Sequence, residues 1–178
     1  MTRIKNLSRL ERYPVEGTIN FSMRNLVYDT GTYSNHYNLG EGKIAKIPKE
    51  WREDKSGYYV LVNYHLSFKD ISCETSICRG LYHSGIHVPK PYGFFNMKEI
   101  NSGIIYPGFV MKNLHWCTPL LNLTGKELDL ALKLRDKELI KARRIGYIPK
   151  DEGELGNSLF DRKINKTYLL DFELWEYH

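Results

Sequence analysis

Cysteine is scarce in this sequence, and the three that occur form no recognisable site. Cys73, Cys78 and Cys117 are an odd number of thiols, and their spacing is not that of a metal-binding motif. Small secreted folds that depend on disulfides carry more cysteines, usually in even numbers. We therefore expect reduced thiols, as in a cytoplasmic protein, and no disulfide framework.

Long apolar runs are also missing. No stretch approaches the roughly 18 apolar residues that a membrane-spanning helix requires. The first residues, MTRIKNLSRLERYP, include basic side chains but no apolar segment of the kind found in a secretory signal. Internal repeats and low-complexity tracts are absent as well. The sequence thus predicts a cytoplasmic protein without a membrane partner.

The composition that remains is that of an ordinary globular protein. The chain has 178 residues, of which 42% are hydrophobic and 26% are charged. This length fits one domain, or one domain built of two small lobes. The formal net charge of +5 favours phosphate-bearing or acidic partners, although a charge of this size does not identify one.

The first half of the chain has the pattern of strands interrupted by one helix. Residues 25–49 have a strand-like pattern that is interrupted by glycines, and NLGEGKI predicts a tight hairpin. Residues 68–83 predict a helix because their apolar side chains recur on one face. The prolines of GIHVPKPYGFF exclude helix and predict an extended connector leading into a strand. IIYPGFVMKNL predicts a further strand.

The clearest helix runs from about residue 125 to 145. Thr124 is its predicted N-cap, Glu127 completes a capping box, and Gly146 ends the helix. The predicted inner face consists of Leu128, Ala131, Leu132 and Leu139. Two short strands, SLFD and TYLLDF, follow and are joined by the turn RKINK. This order of strands and helices indicates an α+β fold with two lobes.

Two polar residues flank this last hairpin. Asp171 follows an apolar strand, and Asn157 lies in the loop after the long helix. A hairpin brings these two positions side by side, and a carboxylate with an amide oxygen is a suitable half-site for Mg²⁺, which takes its other ligands from water and phosphates. The alternative for Asn157 is that it caps a turn. We predict a magnesium site formed by Asn157 and Asp171.

A second pair of charged residues lies in the first half. Lys46 is on the strand KIAKIP, and Glu74 is in the first turns of the helix that follows. A buried lysine needs a carboxylate partner, and such a pair is able to hold the phosphates of a nucleotide. The alternative is that Lys46 is a surface residue of the strand and Glu74 a solvated residue of the helix. We predict that they form an ion pair.

In this order the elements resemble the protein-kinase-like superfamily, over roughly residues 25 to 175. TGTYSNHYNL is similar to a shortened glycine-rich loop, in which Gly31, Tyr33 and Ser34 would contact the nucleotide. Lys46 and Glu74 resemble the strand lysine that anchors phosphates and its helix partner. LYHSGIHVPKPYG is typical of the branch that holds the RIO kinases, the small kinases of the KEOPS complex and the aminoglycoside phosphotransferases.

The second half carries further resemblances. FVMKNL is similar to the strand that runs into the kinase hinge, which implies that Met111 lies near the gatekeeper position and Lys112 to Leu114 line the adenine edge. GYIPKD resembles the approach to the catalytic loop and implies that Asp151 is the catalytic aspartate. GNSLFD and YLLDFE resemble the metal-binding segments, with Glu173 in place of the usual glycine.

The resemblance implies a protein-kinase-like two-lobed fold with a truncated C-terminal lobe. Residues 1–111 would form the N-terminal lobe and residues 112–178 a reduced C-terminal lobe, without the activation segment and lower helices of larger kinases. The implied function is an ATP-dependent phosphotransferase that uses ATP and Mg²⁺ and modifies a hydroxyl of a protein or a small molecule. Lys46, Glu74 and Asp151 would be its catalytic residues.

Departures from the family pattern leave alternatives open. Pro149 and Lys150 replace the His and Arg that precede the catalytic aspartate of protein kinases. Counting forward from Gly146 identifies Asp151 as the base, whereas counting back from Asn157 identifies Glu152. One alternative function is therefore a catalytically weak, pseudokinase-like nucleotide-binding module.

The other alternative depends on the basic residues between 133 and 150. The simplest interpretation of this run is the solvated face of a helix, and the other is a binding surface for nucleic acid or an acidic protein. The second interpretation leads to an RNA-associated ATPase in a larger assembly.

Overall fold

The computed structural model describes residues 15–28, 34–48, 52–53, 59–60, 68–150, 154–172 and 174–178. Among them, α1 is Phe68–His83 and α2 is Gly125–Arg144. Short 3₁₀ turns cover Met23–Asn25, Leu120–Asn122 and Leu155–Asn157. The strands are β1 Thr18–Phe21, β2 Leu26–Tyr28, β3 Ser34–Gly40, β4 Lys43–Pro48, β5 Arg52–Glu53, β6 Tyr59–Val60, β7 Pro91–Glu99, β8 Ile105–Lys112, β9 Thr118–Pro119, β10 Tyr147–Pro149, β11 Ser158–Asp161, β12 Lys166–Leu169 and β13 Trp175–Tyr177.

The largest sheet has the strand order β1-β7-β8-β4-β3-β2. Its neighbours pair antiparallel except β1, which runs parallel to β7 along one edge. The predicted hairpin joins β3 to β4 through Glu41 and Gly42, and φ is 78° at Gly40 and 70° at Gly42. Positive φ costs glycine little, so these two residues permit a tight turn that places β4 at the centre of the sheet.

Helix α1 packs against β7 and β8 with the bounds that the sequence predicted. Its buried side chains, such as Ile71 and Leu81, share one core with Phe109 of β8, Leu139 of α2 and Phe172 near the end of the chain. The core is therefore continuous between the large sheet and the second half of the chain. Because both halves contribute to it, the residues that they carry are held in a fixed relation to each other.

The start of α2 differs from the prediction. Thr124 occupies the N-cap position, but its side chain makes no capping hydrogen bond. Glu127 is instead in a bidentate ion pair with Arg162, from the turn between β11 and β12. The capping-box prediction is therefore wrong, because a guanidinium fork offers Glu127 two charge-assisted hydrogen bonds outside the helix. The predicted end is present, since Gly146 has φ 90°.

Strands β10 and β12 pack against α2. β11 pairs antiparallel with β12 and β9, and β10 pairs with β13. The Thr167 hydroxyl on β12 donates a 3.0 Å hydrogen bond to the carbonyl of Ala131 in α2. This contact fixes the β11–β12 hairpin on the helix. In the part of the chain that the structure describes, no helix is long and apolar enough to cross a membrane.

Candidate functional site

The ammonium group of Lys46 lies between two carboxylates. Lys46 is at the centre of the sheet, opposite His36 of β3 and Phe109 of β8. Its Nζ is 3.0 Å from Oε1 of Glu74 and 2.9 Å from Oδ1 of Asp171. Lys46 and Glu74 are 3% and 2% exposed, respectively. The ion pair predicted from the sequence is thus present and buried, and Asp171 joins it from the second half of the chain.

The backbone around Asp171 is strained and held at both ends. Asp171 has φ 55°, in the left-handed region that costs a non-glycine residue energy. The N–H of Leu170 donates to the carbonyl of Asn157 at 2.9 Å, and the N–H of Phe172 donates to Oε1 of Glu74 at 3.2 Å. These two hydrogen bonds fix the segment on either side of Asp171. Its side chain remains 43% exposed and is therefore accessible to a ligand.

The β11–β12 hairpin brings the backbone of Asn157 near that of Asp171. Ser158 is opposite Leu169 in the β11–β12 ladder, and the bond from Leu170 to Asn157 extends this ladder by one position. Asn157 is therefore opposite Leu170, the residue that precedes Asp171. The side-chain oxygens of Asn157 and Asp171 are a suitable set for Mg²⁺, which keeps several waters and binds phosphates. Among the described residues, no three His, Cys, Asp or Glu side chains converge on one point, so a cage made only of such side chains is not formed there.

His36 belongs to this site although the sequence patterns did not single it out. It is directly opposite Lys46, so the two side chains share one face of the sheet. Burial, and then the charge of Lys46, lower the pKa of His36 to about 4, while the carboxylate of Asp171 opposes the shift. The imidazole is thus neutral near pH 7. Counting residues outward from the Glu41–Gly42 turn along both strands was the one way in which the sequence could have revealed that His36 is opposite Lys46.

The residues expected along the adenine edge lie at and beyond the end of β8. Met111 packs against the core beneath α1, and Leu114 is buried. Lys112 is exposed, with Nζ 5.2 Å from the centre of the Trp116 ring. The N–H of Asn113 donates to the carbonyl of Gly42 at 2.8 Å, which fixes this segment to the β3–β4 turn.

The other predicted residues fall into two groups. Ser34 is buried at the start of β3, opposite Pro48. Lys150, which precedes the predicted base, pairs with Glu176 of β13 at 3.0 Å. The remainder lie outside the described residues: Gly31, Tyr33, Asp151, Glu152 and Glu173.

No protein-family model matches the sequence, and no curated protein matches it either. Among solved structures, 122 chains match the fold. One is the Rio2 kinase of Chaetomium thermophilum, solved as a complex with ADP, Mg²⁺ and phosphoaspartate, with a TM-score of 0.55. The two sequences are 17% identical, and the match covers 83% of this chain and 47% of that one. The predicted α+β, protein-kinase-like fold is confirmed, in a chain that spans about half the length of this kinase.

Proposed function

We propose that the protein is an ATP-dependent phosphotransferase. It binds Mg·ATP between an N-terminal lobe, residues 1–111, and a reduced C-terminal lobe, residues 112–178. The observation that carries the proposal is the contact of one buried ammonium group, that of Lys46, with Glu74 from α1 and Asp171 from the other half of the chain. One carboxylate is enough to balance a buried ammonium group, so the second carboxylate leaves an excess negative charge that a metal ion would compensate.

The charges of the cluster support a metal-dependent nucleotide site. One ammonium between two carboxylates leaves a formal charge of −1, which repels a bare triphosphate. When bound, Mg²⁺ would neutralise this charge and that of the phosphates, which is the main requirement of phosphoryl transfer. Asp171 and Asn157 would hold the ion, while Lys46, oriented by Glu74, would contact the phosphates. Ser34, Met111, Lys112 and Leu114, with Gly31 and Tyr33 of the loop, would surround the nucleotide.

Asp151 is the proposed base that orients the acceptor hydroxyl. The strand leading to it is fixed by the pairing of Pro149 with Trp175 and by the ion pair of Lys150 with Glu176. We choose Asp151 over Glu152 because an extra residue is more easily absorbed in the glycine-containing segment EGELG. The acceptor is a hydroxyl of a protein or of a small molecule.

Phosphate release and transfer from γ-labelled ATP test this function. The purified protein is expected to release or transfer phosphate with Mg²⁺, and Lys46→Met, Asp171→Asn and Asp151→Ala are each expected to abolish turnover. Lys98→Gln, on the exposed side of β7, is the matched control and is expected to be as active as the parent. Turnover that survives all three substitutions would overturn the proposal, whereas loss with Glu152→Gln but not with Asp151→Ala would transfer the role of base to Glu152.

The second candidate is a nucleotide-binding module that does not turn over. The observation that favours it is the ion pair of Lys150 with Glu176, because Lys150 stands where protein kinases have the arginine before the catalytic aspartate, and its charge is directed to β13. If this candidate is correct, the protein binds Mg·ATP and this binding depends on Asp171. The parent protein then releases no more phosphate than the Asp151→Ala variant. Measuring binding and turnover on the same preparation distinguishes the two candidates.

A further inference from the structure

The solvent-facing side of α2 carries a row of cations. Lys126, Lys133, Lys137, Lys141 and Arg144 are all exposed. Their spacing of three, four or seven residues places them along one side of a helix with 3.6 residues per turn. From the first to the last, the row is about 27 Å long at about 1.5 Å per residue. This side of α2 lies away from the core that the helix covers with Ala131 and Leu139.

The row continues onto the β11–β12 hairpin. Arg162 is attached to the first turn of α2 through Glu127, and Lys163 and Lys166 are exposed on the same hairpin. Burial lowers the pKa of His87, the nearby Glu138 opposes the shift, and Lys166 and Lys141 both lower it further. His87 also links the two elements directly, because its N–H donates to Glu138, the partner of Lys141, and its carbonyl accepts from the N–H of Leu169 on β12. We name this surface the basic face: Lys126, Lys133, Lys137, Lys141, Arg144, Arg162, Lys163 and Lys166.

The cations of the basic face outnumber the carboxylates of α2. Glu127 is paired with Arg162, and Glu138, paired with Lys141, is buried beneath the surface. The other two acids of α2 lie beside the row: Asp129 is three residues after Lys126 and four before Lys133, and Asp136, which pairs with Arg135, is three residues after Lys133. The eight cations of the basic face and the four carboxylates of α2 leave a formal excess of +4, against a net charge of +5 for the whole chain. The positive excess of the protein is therefore concentrated on this surface.

Most cations of the row have no ion-pair partner among the residues that the structure describes. Within the described part of the chain, no ion pair involves Lys126, Lys133, Lys137 or Arg144. Like charges held side by side repel each other, and at helical spacing they lower the stability of the helix. A rigid helix that carries such a row of cations is suited to bind a polyanion. Binding replaces the repulsion between the cations by their attraction to the negative charges of the ligand.

We propose that the basic face binds the phosphate backbone of a nucleic acid. A regular row of cations on a straight helix matches a ligand whose negative charges repeat at regular intervals. An acidic protein partner would instead require a contiguous apolar centre with a polar rim. Leu130 and Ile140 are the large apolar side chains exposed on this part of α2, and they are ten residues apart, which is normal for a surface.

The chemistry of the face also indicates the type of recognition. Lysine ammonium groups contact phosphates as point charges and carry little sequence information, so the binding is expected to be insensitive to sequence. It is expected to weaken steeply with salt, because each neutralised phosphate releases a counterion. The proposal concerns a surface distinct from the Lys46 cluster, and it stands or fails independently of phosphotransfer.

The test is fluorescence anisotropy with a labelled oligouridylate of about 20 nucleotides and a duplex of similar length, titrated from about 50 to about 200 mM salt. The test variant replaces Lys133, Lys137 and Arg144 by Gln, a residue that is compatible with a helix. The matched control replaces three exposed cations elsewhere, Arg24, Lys90 and Lys98, by Gln. Both variants lose three positive charges, so a difference between them reports the location of the charges and not their number.

We expect the test variant to bind the single strand roughly 10- to 100-fold more weakly than the control at about 100 mM salt. Its plot of log K against log salt should be less steep by about 2, since each lost phosphate contact contributes about 0.7. Equal affinities for the two variants would overturn the proposal. So would equally tight binding of the parent to a polyglutamate peptide of matched charge, which would identify the face as a surface for acidic proteins. Weaker binding of the single strand than of the duplex would identify duplex as the preferred form.

Discussion

The backbone N–H of Phe172 donates a hydrogen bond to Oε1 of Glu74, the same oxygen that holds the ammonium group of Lys46. A single buried oxygen thus connects helix α1, the central strand β4 and the segment that carries Asp171. Movement of α1 away from the sheet would break the ion pair and release the Asp171 segment together. Glu74 therefore stabilises the shape of the site as well as the position of the lysine.

Glu74→Ala is expected to lower the free energy of unfolding by about 3 kcal/mol, because it leaves a buried ammonium and a buried N–H without this acceptor. Urea unfolding of the parent and the variant measures the change. Asp129→Ala, which removes an exposed carboxylate from the other helix, is the control and is expected to change stability by less than about 0.5 kcal/mol. Equal losses in the two variants would mean that the oxygen of Glu74 does not hold these elements together.

Asp171→Asn is expected to change nucleotide binding in opposite directions with and without metal. With Mg²⁺ the affinity for ATP should fall at least about tenfold, since one charged ligand of the metal is lost. In EDTA the affinity should rise, because the formal charge around Lys46 increases from −1 to 0 and repels the phosphates less. Calorimetric titration under both conditions measures the two values. If the affinity for Mg·ATP is that of the parent, Asp171 is not a metal ligand.

Much of this cluster could be predicted because its members occupy regular elements. Alternating side chains direct Lys46 to one face of its strand, and hairpin pairing brings Asn157 towards Asp171. The contacts that escaped prediction link elements that are distant in sequence. Phe172 uses a main-chain N–H, which no residue type reveals, and Glu127 pairs with Arg162, 35 residues away, although a local capping box fits its sequence. Local patterns carry no information about such competing partners.

Gly80 of α1 faces Tyr147 of β10. A Cβ at position 80 would lie 2.8 Å from Cζ of Tyr147 and nearer still to its hydroxyl. Gly→Ala within a helix normally stabilises it by about 1 kcal/mol. We expect Gly80→Ala to have the opposite sign and to destabilise the protein by about 1–3 kcal/mol, because the ring must move from its place beside Tyr177. Thermal unfolding of the variant measures the effect.

A second variant separates this clash from any intrinsic effect of alanine. In a background of Tyr147→Leu the ring is absent, so adding Gly80→Ala should no longer destabilise and should recover the usual helix preference. The double-mutant cycle is expected to give a coupling energy of about 1 kcal/mol or more. A coupling near zero would show that the contact of α1 with β10 does not depend on the absence of a side chain at position 80.

The stability of the protein is expected to depend on pH through His36. Its pKa is lowered from 6.5 to about 4 in the folded state, first by burial and then by the charge of Lys46. Between these two values the unfolded chain binds more protons than the folded one, so the stabilisation is complete above about pH 6.5 and is lost as the pH falls towards 4. Between about pH 7 and pH 5 the free energy of unfolding should fall by about 2 kcal/mol on account of this residue.

His36→Gln removes the titrating group and retains a polar side chain, while every other ionisable group is common to both proteins. Urea unfolding at several pH values in this window should therefore give a shallower decline for the variant than for the parent. If the two curves are parallel, the imidazole of His36 is not held neutral beside Lys46, and its place in the cluster has to be revised.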